Sequence, residues 1–398
     1  MAVLSGARVE KTPVIRRGGC RDFAQDYPGG PMRIAKVFLL CAGFIGTVSA
    51  YATTFVVPAD RDLVHHADAI VVGSPLTSYS QFNAEGGIET VTSFSITEVI
   101  KGISISRVID IVEPGGNYAG RATVIAGVPQ FFSGERLMLF LKKTDTGHFA
   151  VEELVLGKFR FASDIRDRRL LVRDAEDIQG WDSQLRPYHE RLRAADSFLQ
   201  FVRNESKGIP SVEDYFVSDP ALLRATPMPA TQNPAKPLAG GGAAAFTATS
   251  YTMTISGSLG ARWAIFPSAV TFFTGTTTEP GAPGGGTTAA QIALSAWTND
   301  CGSNVNYAYG GTDGGGHTQG LHATDGANTI LFERDLSSFG VSPFTCSGGG
   351  YSGTLGIGGI TSASGSNSVN GESFVTTQEA DVEMNRGIAN CSLLFNSG

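Results

Sequence analysis

The sequence predicts an α+β protein in two β-rich parts joined by a linker, and three features carry that reading. Short β-branched and apolar runs separated by Gly and Pro turns fill residues 55–161. One segment of helical period follows in each half, and residues 206–250 between the halves are dominated by Pro, Gly and Ala. Only 17% of residues are charged and 50 of 398 are Gly, which suits strands and tight turns better than long solvated helices. The net charge of -7 argues against nucleic acid as a partner.

In the front part, Ala69–Gly73, Thr90–Val99, Val108–Val112 and Leu137–Leu141 read as strands. Gly86-Gly87, Lys101-Gly102, Pro114-Gly115-Gly116 and Ser133-Gly134-Glu135 punctuate them. This spacing predicts an antiparallel barrel or sandwich spanning residues 53–205. A short helix over Asp62–Ala69 would precede its first strand, with His65, His66 and Asp68 on the polar side. Leu185, Leu192, Phe198, Leu199 and Val202 predict an amphipathic helix over Asp182–Asn204 that closes the unit.

Upstream lies an export signal. Arg33 and Lys36 precede the apolar run Val37–Val48, and Val48-Ser49-Ala50 offers the small residues that a signal peptidase reads. Residues 32–50 are therefore expected to be a signal peptide with Met32 as the true start. Residues 1–31 then form a mis-assigned start or an extended n-region. The run is too short for a mature membrane helix, and no later segment is long and apolar enough for one. The expectation is a secreted monomer, extracellular or periplasmic. In that oxidising setting Cys301, Cys346 and Cys391 allow one disulfide with one cysteine left over, and spacing alone leaves the pairing open.

The second part, residues 251–398, opens with Arg262-Trp263 and Ala269–Phe273 as strands. Thr287–Thr298 predicts a helix capped by Thr287 or Thr288, with Ile292, Ala293, Ala296 and Trp297 on one face. Val305–Tyr309, Thr329–Phe332, the Gly-rich Gly353–Ser364 and Ala380–Met384 read as strands. Glu379, Asp381 and Glu383 alternate and so share a strand face, expected to be a solvated edge, with a calcium site as the alternative.

The order of Arg262-Trp263, Ala293–Trp297, the run Asp325–Phe332 (DGANTILF) and the run Glu379–Asn385 (EADVEMN) resembles the N-terminal part of the catalytic domain of matrixin-like (metzincin) zinc metallopeptidases. The resemblance covers about 150 residues. It implies an incomplete metzincin-like catalytic domain, a twisted sheet packed on one helix. The Gly-rich strand, here Gly358, Gly359, Ile360, Thr361 and Ser362, would be the edge where substrate backbone adds as an extra strand. It also implies a peptide or protein substrate and zinc as cofactor. The front part is more loosely similar to a β-barrel module found ahead of such domains, an accessory or pro-domain.

The H-E-x-x-H-x-x-G-x-x-H motif that supplies the zinc ligands and the general base in that family is not among these residues. His189-Glu190 is followed by Arg193 where the second ligand would stand. The chain is thus expected to lack catalytic residues of its own and to bind no catalytic zinc, as a chain stopping before the zinc helix. Among other residues, His317, His322, Asp313 and Asp325 are weak metal candidates of zinc or calcium chemistry, in a spacing that fits no ligand template. The competing function is a non-enzymatic secreted β-rich binding or adhesion module with a degenerate peptidase-like half.

Overall fold

The computed structural model describes residues 54–102, 106–173, 179–218, 223, 255–256, 259–299, 304–347, 350–369 and 371–391. The predicted signal peptide, residues 1–31, most of the predicted linker and Cys301 lie outside them.

The front region runs β1 (Thr54–Val56), α1 (Asp60–His66), β2 (Ala69–Phe82), β3 (Ile88–Lys101), β4 (Val108–Pro114), β5 (Gly116–Tyr118), β6 (Arg121–Ile125), β7 (Leu137–Lys143) and β8 (Phe149–Val151). It continues with β9 (Lys158–Ser163), β10 (Arg169–Arg173), β11 (Gln179–Trp181), β12 (Arg193–Ala194) and α2 (Ala195–Glu205). Strands β7, β2, β3, β4 and β8 pair in that order and β8 returns to β7, which closes a small barrel. The runs AIVVG and LMLFL lack polar alternation because both faces are covered. Val71, Leu137, Leu139 and Leu141 fill the barrel with Phe94 and Ile111. Ile70, Val72, Met138 and Phe140 point outward under Leu63, Phe198 and Val202 of the two helices.

Two expectations are corrected here. The helix predicted over Asp182–Asn204 begins only at Ala195. Asp182 instead accepts from the Gln184 and Arg186 backbone N–H groups, Leu185 takes a left-handed φ of 58°, and Pro187 follows. The front of the predicted linker, residues 206–218, packs against the front region. Tyr215 is buried among Phe198, Phe201 and Phe216, and its hydroxyl donates to Asp60 at 2.9 Å.

The second region runs β13 (Ile255–Ser256), β14 (Leu259–Trp263), β15 (Val270–Thr274), α3 (Thr287–Thr298), β16 (Tyr307–Thr312), β17 (Asn328–Arg334), β18 (Thr345–Ser347), β19 (Gly350–Val369) and β20 (Glu372–Asn385). Strands β16, β15, β17 and β20 lie side by side in parallel, and β19 follows antiparallel to β20. The chain as a whole is mostly β with few helices, an α+β mixture, and no described helix is long and apolar enough to cross a membrane.

Helix α3 has the predicted limits but not the predicted face. Ala290 and Leu294 pack toward the sheet, whereas Ile292, Ala293, Ala296 and Trp297 are exposed, Ile292 by 65%. No side chain caps it; Gly286, with φ at 90°, occupies the cap position. The helix is apolar on two sides, so its period could not choose between them.

The sheet of the second region is completed by strands from the first. Strand β1 pairs with Gly353–Gly356 of β19, and β6 pairs with Gly359–Ala363 of the same strand. Phe55, Ile125, Leu154 and Leu156 from the front then share one core with Leu321, Leu336, Phe339, Val341 and Ile357 from the back.

Candidate functional site

The site is built on β19. Its glycines remove side chains from one stretch of strand, so a neighbouring backbone can come close. On one side β20 pairs with it, Gly358 to Val382, Gly359 to Asp381, Ile360 to Ala380 and Ser362 to Glu379. On the other, β6 lies antiparallel, Ile125 to Gly359, Val124 to Ile360 and Ala122 to Ala363. The Ala126 N–H donates to Gly358 O at 3.2 Å, and the Thr123 hydroxyl donates to Thr361 O at 2.7 Å. A methyl group on Gly359 would lie 2.6 Å from Val124 O and 2.9 Å from Ile125 Cα. Gly358, Gly359, Ile360, Thr361 and Ser362 are therefore not an edge. They are paired on both sides, because the front region supplies the missing neighbour.

Beneath this strand, Glu379, Asp381 and Glu383 do share a face, but the solvated edge expected for them is buried. The reason is the loop that covers them. Glu379 accepts from the Asp325 and Gly326 backbone N–H groups at 3.0 and 2.7 Å. Asp381 accepts from the Thr329 N–H and hydroxyl and from the Thr361 hydroxyl, each at 2.7 Å. Glu383 accepts from the Leu321 N–H at 3.1 Å. Burial pushes the Asp381 carboxyl up to about 7 despite those donors, and raises Glu379 as well. These carboxylates tie the 320–329 loop to the sheet through hydrogen bonds.

The metal candidates are dispersed among local roles. Asp313 accepts from the His317 backbone N–H at 2.7 Å and faces its ring at 3.3 Å. Asp325 accepts from Gln319 and Ala327 N–H groups, as a turn residue does. His322 stacks on Phe339 with ring centroids 4.4 Å apart, and burial lowers its pKa. No group of three or more His, Cys, Asp or Glu placed to hold a metal occurs among the described residues. The donor set present does not fit a catalytic zinc, and no step through zinc is derived from these residues. The Cys346–Cys391 disulfide joins β18 to the segment after β20, inside a cluster with Val56, Phe344 and Ile388.

Sequence reasoning missed the contribution of Glu152 and Glu153. Both are buried at the junction of the two regions. Glu153 accepts from the Ser342 N–H at 3.1 Å and from the Thr354 N–H and hydroxyl at 3.0 and 2.6 Å. Glu152 accepts from the Ser342 hydroxyl at 2.8 Å. Burial pushes Glu152 up to about 8 and raises Glu153 too. The available signal was the apolar setting of the pair in V-E-E-L-V-L, residues 151–156. A second clasp lies at the β2–β3 turn, where the Asn83 amide donates to His322 O at 3.2 Å.

No family model matches the chain, and neither the curated proteins nor the solved structures give a match.

Proposed function

We propose that this chain is the front portion of a secreted, matrixin-like zinc metalloendopeptidase. Residues 251–398 are the strand-presenting part of its catalytic domain, and the barrel is an accessory or pro-domain. The observation that carries the reading is the Gly-rich strand β19, which takes up extended backbone along its outer side by main-chain pairing. Two features support it. Four parallel strands stand beside β19 with α3 packed on them. The stripe Ile292, Ala293, Ala296 and Trp297 on α3 is left to solvent, which suits a further helix packing there. Zinc would supply an activated water, held by a helix that is not among these residues.

The coding DNA beyond the Gly398 codon tests this reading. An H-E-x-x-H-x-x-G-x-x-H within about 20 codons in one frame is expected. Its clear absence contradicts the reading. The 398-residue chain is expected to give no chelator-sensitive proteolysis, and a chain extended through that helix is expected to give it. A second reading, a non-enzymatic binding or adhesion module, is favoured by one observation. All three carboxylates of the β20 row are already hydrogen-bonded within the fold.

A further inference from the structure

We propose that β6 is an intramolecular substitute for substrate, so that the front barrel holds the strand-binding track of β19 closed. The proposal rests on reading β19 as that track, and adds how the track is regulated and what kind of peptide it takes.

The hairpin that carries β6 is built to reach out of the barrel. Strand β5 pairs with β6 and with no other described strand, and β6 pairs onward only with β19. A two-residue turn joins them, with Ala119 at φ 50° and Gly120 at φ 78°, the positive pair that tight hairpins require. The outer edge of β6 is thereby aimed at the second region. The Ala126 N–H donates to Gly358 O, and the alternation of a strand turns the Val124 and Ala122 N–H groups to the same side.

Recognition along this track is mostly by backbone. Thr123 adds one hydroxyl, and Ala122 fits fully buried against Ile360, Ala363 and Val375. Gly359 leaves no room for more than a bare strand against it. The ligand class is therefore an extended peptide, antiparallel to β19, with a small residue at the position of Ala122 and a small or β-branched one at Thr123. The Arg121 guanidinium anchors the end of the hairpin on the Thr324 hydroxyl. A tethered strand acts at an effective concentration of order mM, so a free peptide at μM levels cannot displace it. Opening the track requires β6 to leave, by movement or cleavage of the front region.

The test uses the full chain carrying Ala122→Pro and Val124→Pro, which removes two donors that face β19 and leaves β19 itself unchanged. The probe is a fluorescent peptide spanning residues 119–127, read by anisotropy at μM concentration. The double variant is expected to bind it at least about tenfold more tightly than the parent chain. Binding that is equally weak in both, with the variant folded, overturns the proposal. If the variant does not fold, hydrogen exchange on the unaltered chain decides. The amides that face each other across this seam, those of Ala122, Val124 and Ala126 with those of Gly358 and Ile360, are expected to open together and before those of β17. Exchange of both segments only with global unfolding makes β6 a fixed part of the sheet and also overturns the proposal. Neither measurement needs zinc. Failure here leaves the peptidase reading to the downstream DNA, and peptide capture without the zinc motif would remove the peptidase reading alone.

Discussion

Asp60 and Glu153 are both buried carboxylates, and their surroundings separate the interior of the front region from the junction between the regions. Asp60 meets two guanidinium groups and a phenol, all from the front region: Arg193 at 2.8 Å, Arg173 at 3.2 Å and Tyr215 at 2.9 Å. Burial pushes its pKa up, but Arg193 and Arg173 outweigh that and hold it below the usual carboxylate range. Glu153 has only hydroxyl and backbone donors, supplied by Ser342 and Thr354 of the second region, and burial prevails. The front region thus neutralises this charge with its own residues. The junction relies on carboxyls that are easier to keep protonated, and the second region depends on the first for the outer side of β19.

Removing the self-contained charge cluster should have the largest effect. Asp60→Ala leaves the buried Arg173 and Arg193 with Glu190 as their one remaining carboxylate partner and is expected to cost about 3–5 kcal/mol, read by denaturant unfolding. A loss below about 1 kcal/mol would mean that the cluster is solvated. Cutting the Cys346–Cys391 link, which closes a separation of 45 residues, comes next. Cys346→Ser is expected to cost about 2–4 kcal/mol, read by denaturant unfolding of the full chain.

The junction should respond to pH with a definite sign. The Glu152 value is raised in the folded chain to about 8 from an ordinary 4.5, with Glu153, Lys142, Asp68 and the Ser342 hydroxyl as its surroundings. The folded state binds the extra proton between those values, so stability falls as pH rises from 4.5 to 8 and levels off above. Each such group contributes a slope of up to about 1.4 kcal/mol per pH unit. Glu152→Gln should flatten part of that slope in thermal melts taken across the window. An unchanged slope removes Glu152 from the account. The smallest effect belongs to α3: Ile292→Ser should change stability by no more than about 0.5 kcal/mol, because that side chain faces solvent.

Sequence patterns revealed elements better than their partners. The runs AIVVG and LMLFL marked β2 and β7, and TTAAQIALSAWT marked α3 to the residue. The stretch 182–194 misled, because Leu185 and Leu192 fell at helical spacing, one inside a turn and the other just before a short strand. The alternation of Glu379, Asp381 and Glu383 was legible. Their burial was not, since the covering donors come from residues 321–329. Least legible was the crossing of β1 and β6 into the second sheet. Each is only three to five residues long, and each pairs with residues more than 200 positions away. A local pattern carries no information about such a partner.

That crossing is the centre of the account, and cysteine trapping tests it most directly. Val124 and Ile360 are paired across β6 and β19, close enough for Val124→Cys with Ile360→Cys to form a bond under mild oxidation. Mass mapping of the oxidised full chain should find the 124–360 link within one molecule, beside the native 346–391 link. Failure of the 124–360 link to form in a chain that keeps the native one would contradict the pairing, and with it the closed track.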